Sequence, residues 1–340
     1  MSIHPNLDHA TVESFLKKRI DGLEGPLEIV PIAGGQSNPT FVLAFRNRKL
    51  VLRKRPNGDL LPSAHAVDRE YRVQKALMAS DVPVPDVLLL HMEPDIVGTA
   101  FYVMDHVDGR VFHDCSLPGV PLEDRKAMYR SAASTLARLH MVDPASAGLG
   151  DFGRPAGYFG RQIARWHRQW ELSREAPNPD VEHVAQWLSA NIPPETGRSS
   201  IAHGDFRIGN LMFHPTEPRV VAVLDWELAT LGEPLADLAH CCAFTWHMSP
   251  AEYGGVMGVD LAAAGLPSEA EFCEAYYALS GAAQRLAPFH IAFALFRNAI
   301  IFAGIAAPAR SGNAAAANAK TVGKLAGVLA SRAVNLLEAA

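Results

Sequence analysis

The densest cluster of chemistry-bearing side chains in this 340-residue chain is His203-Gly204-Asp205-Phe206-Arg207-Ile208-Gly209-Asn210; fifteen residues past Asn210, the apolar run Val221 to Leu224 ends on Asp225. A carboxylate followed five residues later by an amide, with a second carboxylate closing the next apolar strand, supplies one base and two hard oxygen ligands. Phosphoryl transfer needs that set: a group to orient and deprotonate an attacking hydroxyl, and oxygen donors to hold Mg²⁺ against phosphate. Asp-x4-Asn by itself is a weak signal, because Asp and Asn are ordinary turn residues. The added carboxylate at the end of an apolar strand makes the joint pattern specific.

These side chains need elements to carry them. Leu27 to Ala33, Thr40 to Phe45 and Lys49 to Arg53 are short apolar or β-branched runs, separated by Gly34 to Pro39 and by Asn47, which predicts a three-stranded meander. Ala64 to Ala79 places Val67, Tyr71, Leu77 and Met78 near one helical face, and Leu88 to Met92 and Thr99 to Val107 read as two further strands. From Pro121 onward the period is helical: Leu122 to Met141, Tyr158 to Leu172, Val181 to Ala190, Leu235 to Trp246, Ala270 to Leu286 and Phe289 to Ile305. A β-rich island, Ser199 to Asp205, Asn210 to His214 and Arg219 to Trp226, interrupts the helices and carries the Asp/Asn cluster. A terminal helix follows a Gly-containing break at Arg310 to Asn313.

Composition excludes several classes. With 49% hydrophobic and 20% charged residues the chain reads as globular, and its length calls for two lobes. A net charge of −5 supplies no general field for a nucleic-acid backbone, so no nucleic acid is expected as a partner. Four cysteines are too few for a disulfide framework, which points to a reducing compartment. No stretch reads as the roughly 18 apolar residues of a membrane span, and Met1 to Ala10 has neither the basic nor the apolar segment of a signal peptide. The expectation is a cytoplasmic protein without a membrane partner.

The blocks Gly34-Gly35-Gln36-Ser37-Asn38-Pro39-Thr40-Phe41, Val51 to Val73, His203 to Pro215 and Val223 to His240 resemble the aminoglycoside phosphotransferase and choline kinase-like family, over nearly the whole chain. Within it the sequence looks most like the kinase-like domains found joined to acyl-CoA dehydrogenases. The resemblance implies an α+β, two-lobed protein-kinase-like fold: residues 1–105 as a nucleotide-binding lobe with an antiparallel sheet and one helix, and 106–340 as a mainly helical catalytic and acceptor-binding lobe. It makes Asp205 the catalytic carboxylate and Asn210 and Asp225 the Mg²⁺ ligands. Arg207 falls two residues after the base, where protein kinases carry a cation for the γ-phosphate; the competing reading pairs it with a neighbouring acid.

In the first lobe the phosphate-positioning cation falls on Arg53 or Lys54; the family's Val-Leu-Arg strand ending, matched on Val51-Leu52-Arg53, implies Arg53, and strand alternation points Lys54 to the opposite face. Its implied ion-pair partner is Glu70; the plainer reading leaves Glu70 on a solvated face. Gly35 and Ser37 can approach a triphosphate through backbone N–H groups and a hydroxyl, glycine permitting close approach. Met104 and His106 lie at the family's hinge, where main-chain groups read adenine. Asp237 is implied to tie down the catalytic loop.

Two patterns are set aside. Asp151-Phe152-Gly153 spells the kinase metal tripeptide but precedes Asp205 and follows no strand. His240, Cys241, Cys242 and His247 lack a second pair of zinc ligands and sit at helical spacing, so a core helix is expected. Arg161, Arg165 and Arg168, beside Trp166 and Trp170, suit an anionic acceptor, against the alternative of a solvated face with core tryptophans. The resulting expectation is an ATP- and Mg²⁺-dependent kinase of a small hydroxyl acceptor, a hydroxyacyl-CoA or hydroxy acid, with a separate acyl-CoA dehydrogenase as a partner. The alternatives are an aminoglycoside- or choline-type kinase and a non-catalytic nucleotide-binding module. ATP is not distinguished from GTP.

Overall fold

The computed structural model describes residues 7–32, 38–58, 65–154, 156–174, 176–194, 197, 199–309 and 316–339. The chain divides into two compact units, Met1–Arg110 with Val221–Ala229, and Val111–Val220 with Thr230–Ala340. In the first, α1 (His9–Lys17) precedes β1 (Glu28–Pro31), β2 (Thr40–Ala44) and β3 (Lys49–Lys54); α2 (Val67–Leu77), β4 (Val87–His91) and β5 (Phe101–Asp105) follow. The five strands pair antiparallel in the order β1-β2-β3-β5-β4.

Period-two alternation sorts this sheet into two faces. Phe41, Leu43, Leu50, Leu52, Phe101 and Val103 bury on one face against Val12, Phe15 and Leu16 of α1. Val67, Val87 and Tyr102 cluster on the other, with α2. Full burial of such side chains stabilises by about 1.5–3 kcal/mol each. The sequence reading contained no α1; the helix is 9 residues long and starts where Asp8 accepts Thr11 N–H at 3.2 Å. Its signal was the 12, 15, 16 spacing of its three apolar residues.

β6 (Arg110–Val111) stands at the division of the units, and the second continues through α3 (Leu122–Met141), α4 (Tyr158–Ser173), α5 (Pro179–Ala190), β7 (Ser200–Ala202), a 3-10 turn at Ile208–Asn210 and β8 (Leu211–Phe213). β9 (Val220–Val223) leads into a 3-10 turn, Trp226–Leu228, of the first unit. β10 (Thr230–Gly232), α6 (Pro234–Trp246), α7 (Pro250–Tyr253), α8 (Glu269–Ser280), α9 (Pro288–Ala309) and α10 (Ala316–Glu338) complete the chain. β10 pairs antiparallel with β7, while α9 packs against α4, α5, α6 and α10.

Two expectations are corrected here. α8 stops at Ser280 rather than running to Leu286, because Gly281 takes a left-handed φ of 62° and caps it. A segment of membrane-spanning length and composition does exist: Pro288–Ile305 of α9, 78% of it buried inside the protein. The single charged residue of that window, Arg297, does not offset the surrounding apolar ones. The expected break at Arg310 to Asn313 falls outside the described residues.

Candidate active site

In the first unit, Arg53 lies on the α2 side of β3 and Lys54 on the other. Lys54 is 2% exposed, with Nζ donating to Val97 O at 2.5 Å and to Asn57 Oδ1 at 3.2 Å. Burial pushes its pKa down. Arg53 instead pairs through Nε with Glu70 Oε2 at 2.8 Å and donates from Nη2 to Asp225 Oδ1 at 2.7 Å.

Glu70 is buried rather than on a solvated face. It accepts Asn38 Nδ2 at 2.5 Å and Tyr102 OH at 3.0 Å. Burial pushes its carboxyl up, and the Arg53 guanidinium and the two donors oppose that push. Asn38 also lies 3.1 Å, through Oδ1, from Nδ1 of His65. A chain of contacts therefore runs from His65 through Asn38, Glu70 and Arg53 to Asp225. Asp225 adopts φ 64°, uncommon for a non-glycine residue and a form of strain that concentrates at functional sites. Met104 sits in β5 opposite Val51 and Val87, and His106 donates its backbone N–H to Lys49 O at 3.3 Å. Gly35 and Ser37 lie outside the described residues.

In the second unit, β7 delivers the chain into the Asp205 loop. Gly204 takes φ 84°, a conformation L side chains rarely adopt. Asp237, buried on α6, accepts His203 N–H at 2.6 Å and Gly204 N–H at 2.8 Å, which is the tethering role implied for it. Burial raises its pKa, and the hydrogen bond from His140, the nearby His140 and His203 rings and the Gly204 N–H together more than offset this, leaving it lowered. Asn210 donates Nδ2 to Asp205 O at 2.8 Å and to Asp205 Oδ2 at 2.7 Å. His240 Nε2 lies 2.7 Å from Asp205 Oδ1. Burial would raise the Asp205 carboxyl; the His240 hydrogen bond and the Arg207 charge hold it well below the usual carboxylate range. Asp205 is an ionised, fully oriented carboxylate.

Arg207 stands between its two sequence readings. Its Nε is 3.5 Å from Asp205 Oδ1, and its guanidinium lies 5.4 Å from the Phe244 ring and 5.7 Å from the Tyr253 ring. A Cβ on Gly209 would collide with it, so glycine there leaves room for the guanidinium.

Two residues escaped the sequence reading. His240 is indeed in a buried helix, yet it touches the Asp205 carboxylate. Arg297, 6% exposed on α9, donates to Gly204 O and lies 5.4 Å from the Trp166 ring. An arginine inside an apolar helix was its available signal. The His/Cys run does not converge: Cys242 Sγ is 3.7 Å from Cys273 Sγ and His247 Nε2 is 3.0 Å from Glu269 Oε2. Asp151-Phe152-Gly153 lies in the turns after α3, with Phe152 buried. Of the three α4 arginines, Arg165 and Arg168 are exposed, Arg161 donates to Arg154 O, and Trp166 and Trp170 are buried. They do not form a converging cluster.

An antiparallel sheet with a buried Arg-Glu pair, and a helical unit holding an oriented Asp-x4-Asn loop, define a kinase-like phosphotransferase. The chain belongs to the phosphotransferase enzyme family, whose model matches residues 28–275. It is 41% identical over 337 residues to acyl-CoA dehydrogenase family member 11 of Gallus gallus, covering 97% of this chain and 43% of that protein. The chain thus spans less than half of that relative. An aminoglycoside phosphotransferase candidate from Ralstonia eutropha JMP134 has a crystal structure with a TM-score of 0.88 at 40% identity, over 98% of this chain and 99% of that one. Aminoglycoside phosphotransferase APH(4)-Ia, in ternary complex with AMP-PNP and hygromycin B, shares the fold with a TM-score of 0.62 at 16% identity, over 96% and 98%. This chain is a phosphotransferase by family.

Proposed function

We propose that the protein transfers the γ-phosphoryl group of ATP to the hydroxyl of a small anionic acceptor, a hydroxyacyl-CoA or hydroxy acid, with Mg²⁺ as the metal. The observation that carries this reading is the Asp205 carboxylate, oriented by His240 and Asn210 on a loop tethered by Asp237. Asp205 accepts a hydrogen bond from the acceptor hydroxyl and takes its proton as the new O–P bond forms and ADP leaves. Arg207 clamps phosphate oxygens. In the first unit Arg53, oriented by Glu70, meets the nucleotide phosphates, assisted by Gly35 and Ser37, and the chain near Met104 and His106 receives adenine.

The donor set fits a hard divalent ion. The Asn210 amide nitrogen is engaged by Asp205, which leaves its Oδ1 as a ligand; Asp225 pairs with Arg53 through Oδ1, leaving Oδ2. Asn210 and Asp225 would each offer such an oxygen to Mg²⁺, which would supply neutralisation of phosphate charge. ATP use is supported by the AMP-PNP complex of a neighbour of the same fold. The acceptor class, and an acyl-CoA dehydrogenase as a separate partner, are supported by the relative's name. Four free cysteines support a reducing, cytoplasmic setting.

The test is a transfer screen with labelled ATP and Mg²⁺ over hydroxyacyl-CoAs, free hydroxy acids, choline and aminoglycosides. Labelling of an anionic acceptor is the expected result. Labelling of choline or an aminoglycoside alone would overturn the acceptor class, and no transfer to any hydroxyl would favour a nucleotide-binding module.

A further inference from the structure

We propose that His240 is a positioning residue for phosphoryl transfer: from α6 its Nε2–H donates to Oδ1 of Asp205 and, with the Asn210 amide on Oδ2, fixes the plane of that carboxylate. The proposal rests on the assignment of Asp205 above. An ionised carboxylate only accepts, so the proton of the shared hydrogen bond sits on Nε2. The other ring nitrogen, Nδ1, is buried and has no hydrogen-bond partner among the described residues. A bare lone pair suits that position; an imidazolium would bury an unsatisfied N–H there. His240 is therefore the neutral Nε2–H tautomer, a donor that orients Asp205 without cancelling its charge.

The ring cannot easily turn away. Its side chain is 2% exposed and it packs against Phe244 at a centroid separation of 4.8 Å. One turn earlier on the same face of α6, Asp237 holds the N–H groups of His203 and Gly204. One helix thus grips both the backbone of the loop and its carboxylate. Arg207 Nε stands 3.5 Å from the Oδ1 that His240 occupies. The torsion that sets a carboxylate plane is soft. Without the His240 donor, Asp205 is free to rotate toward Arg207 and away from the direction in which it must meet a hydroxyl. Misplacement of about 1 Å can lower a rate by about 10².

The experiment uses the full chain, with ADP formation from MgATP as readout and 3-hydroxybutyryl-CoA or water alone as acceptor. His240→Phe keeps the ring volume and removes the donor; His240→Gln returns an amide N–H near the Nε2 position. The expected result is a kcat about 10–10²-fold lower for His240→Phe, with KM for ATP within about twofold of wild type, and recovery to within about fivefold of wild-type kcat in His240→Gln. Equal losses in both variants, or wild-type kcat in His240→Phe while Asp205→Asn is inactive, would overturn the proposal. Full turnover in Asp205→Asn would instead remove the assignment of Asp205 itself. Should His240→Phe not fold, ¹⁵N spectroscopy of the wild-type histidine rings decides. A protonated Nε2 and bare Nδ1 for His240 at neutral pH is expected, and the opposite tautomer or an imidazolium overturns the proposal.

Discussion

Two acidic networks, one in each unit, are held in opposite ways. In the first, Glu70 and Asp225 are bound through the full charge of Arg53, at 2.8 and 2.7 Å. In the second, Asp205 and Asp237 are held mainly by donors without formal charge: an imidazole, an amide and two backbone N–H groups. Charge pairing in a partly buried setting is strong but exchangeable, since a guanidinium can trade a carboxylate for a phosphate oxygen. Neutral donors fix direction and leave the negative charge in place. The first arrangement suits residues that must meet a nucleotide and a metal ion, the second a carboxylate that must receive a proton.

The sharpest break of this comparison is Asp237→Ala, which leaves two buried N–H groups without an acceptor. A loss of about 2–5 kcal/mol in urea unfolding is expected, at about 1–3 kcal/mol for each orphaned group. A loss below about 1 kcal/mol would mean that the tether is dispensable.

Next in size is an acid effect in the second unit. His290 is buried among Phe159 and Phe289, and burial pushes its pKa down to about 4. The unfolded chain takes up that proton first, near the ordinary histidine pKa of about 6.5. Stability is then lost as pH falls through about 6.5, and the loss levels off near the folded value, about 1–3 kcal/mol in all. Denaturant midpoints at pH 7 and 4.5 check it: His290→Phe should reduce the difference, and an unchanged difference would show that His290 is not its source.

How much of this was legible depends on where each signal resides. Strand alternation separated Arg53 from Lys54 because a period of two is imposed by backbone geometry. The Asp205 loop was legible because a turn carrying Asp and Asn, followed by a strand ending in Asp, is a local pattern. His240 was not: it sits among apolar residues at helical spacing, and only folding brings it to an oxygen thirty-five positions earlier. Arg297 was hidden for the same reason, its partner Gly204 O lying on a distant loop. α1 was missed because its three buried side chains span little more than one turn.

Smaller effects sharpen the first network. Asp225→Ala should raise the Mg²⁺ concentration for half-maximal rate by about tenfold or more, as loss of a hard ligand requires. Asp151→Ala should leave it within about twofold of wild type, being outside the proposed metal set. Matching Mg²⁺ titrations of the two variants would refute the metal assignment. Glu70→Gln removes the charge that orients Arg53 and keeps a side chain of similar shape; KM for ATP should rise about fivefold, near 1 kcal/mol, with kcat less affected. An unchanged KM would detach the Arg53–Glu70 pair from nucleotide binding.

The most direct measurement compares turnover and nucleotide binding in Asp205→Asn. Loss of a general base costs about 10² to 10⁴ in rate, whereas Asp205 is placed to touch the acceptor rather than ATP. The account predicts a fall of that size with the Kd for MgATP within about threefold of wild type. Turnover above about a third of wild type would contradict the assignment of Asp205 as the carboxylate that receives the acceptor proton.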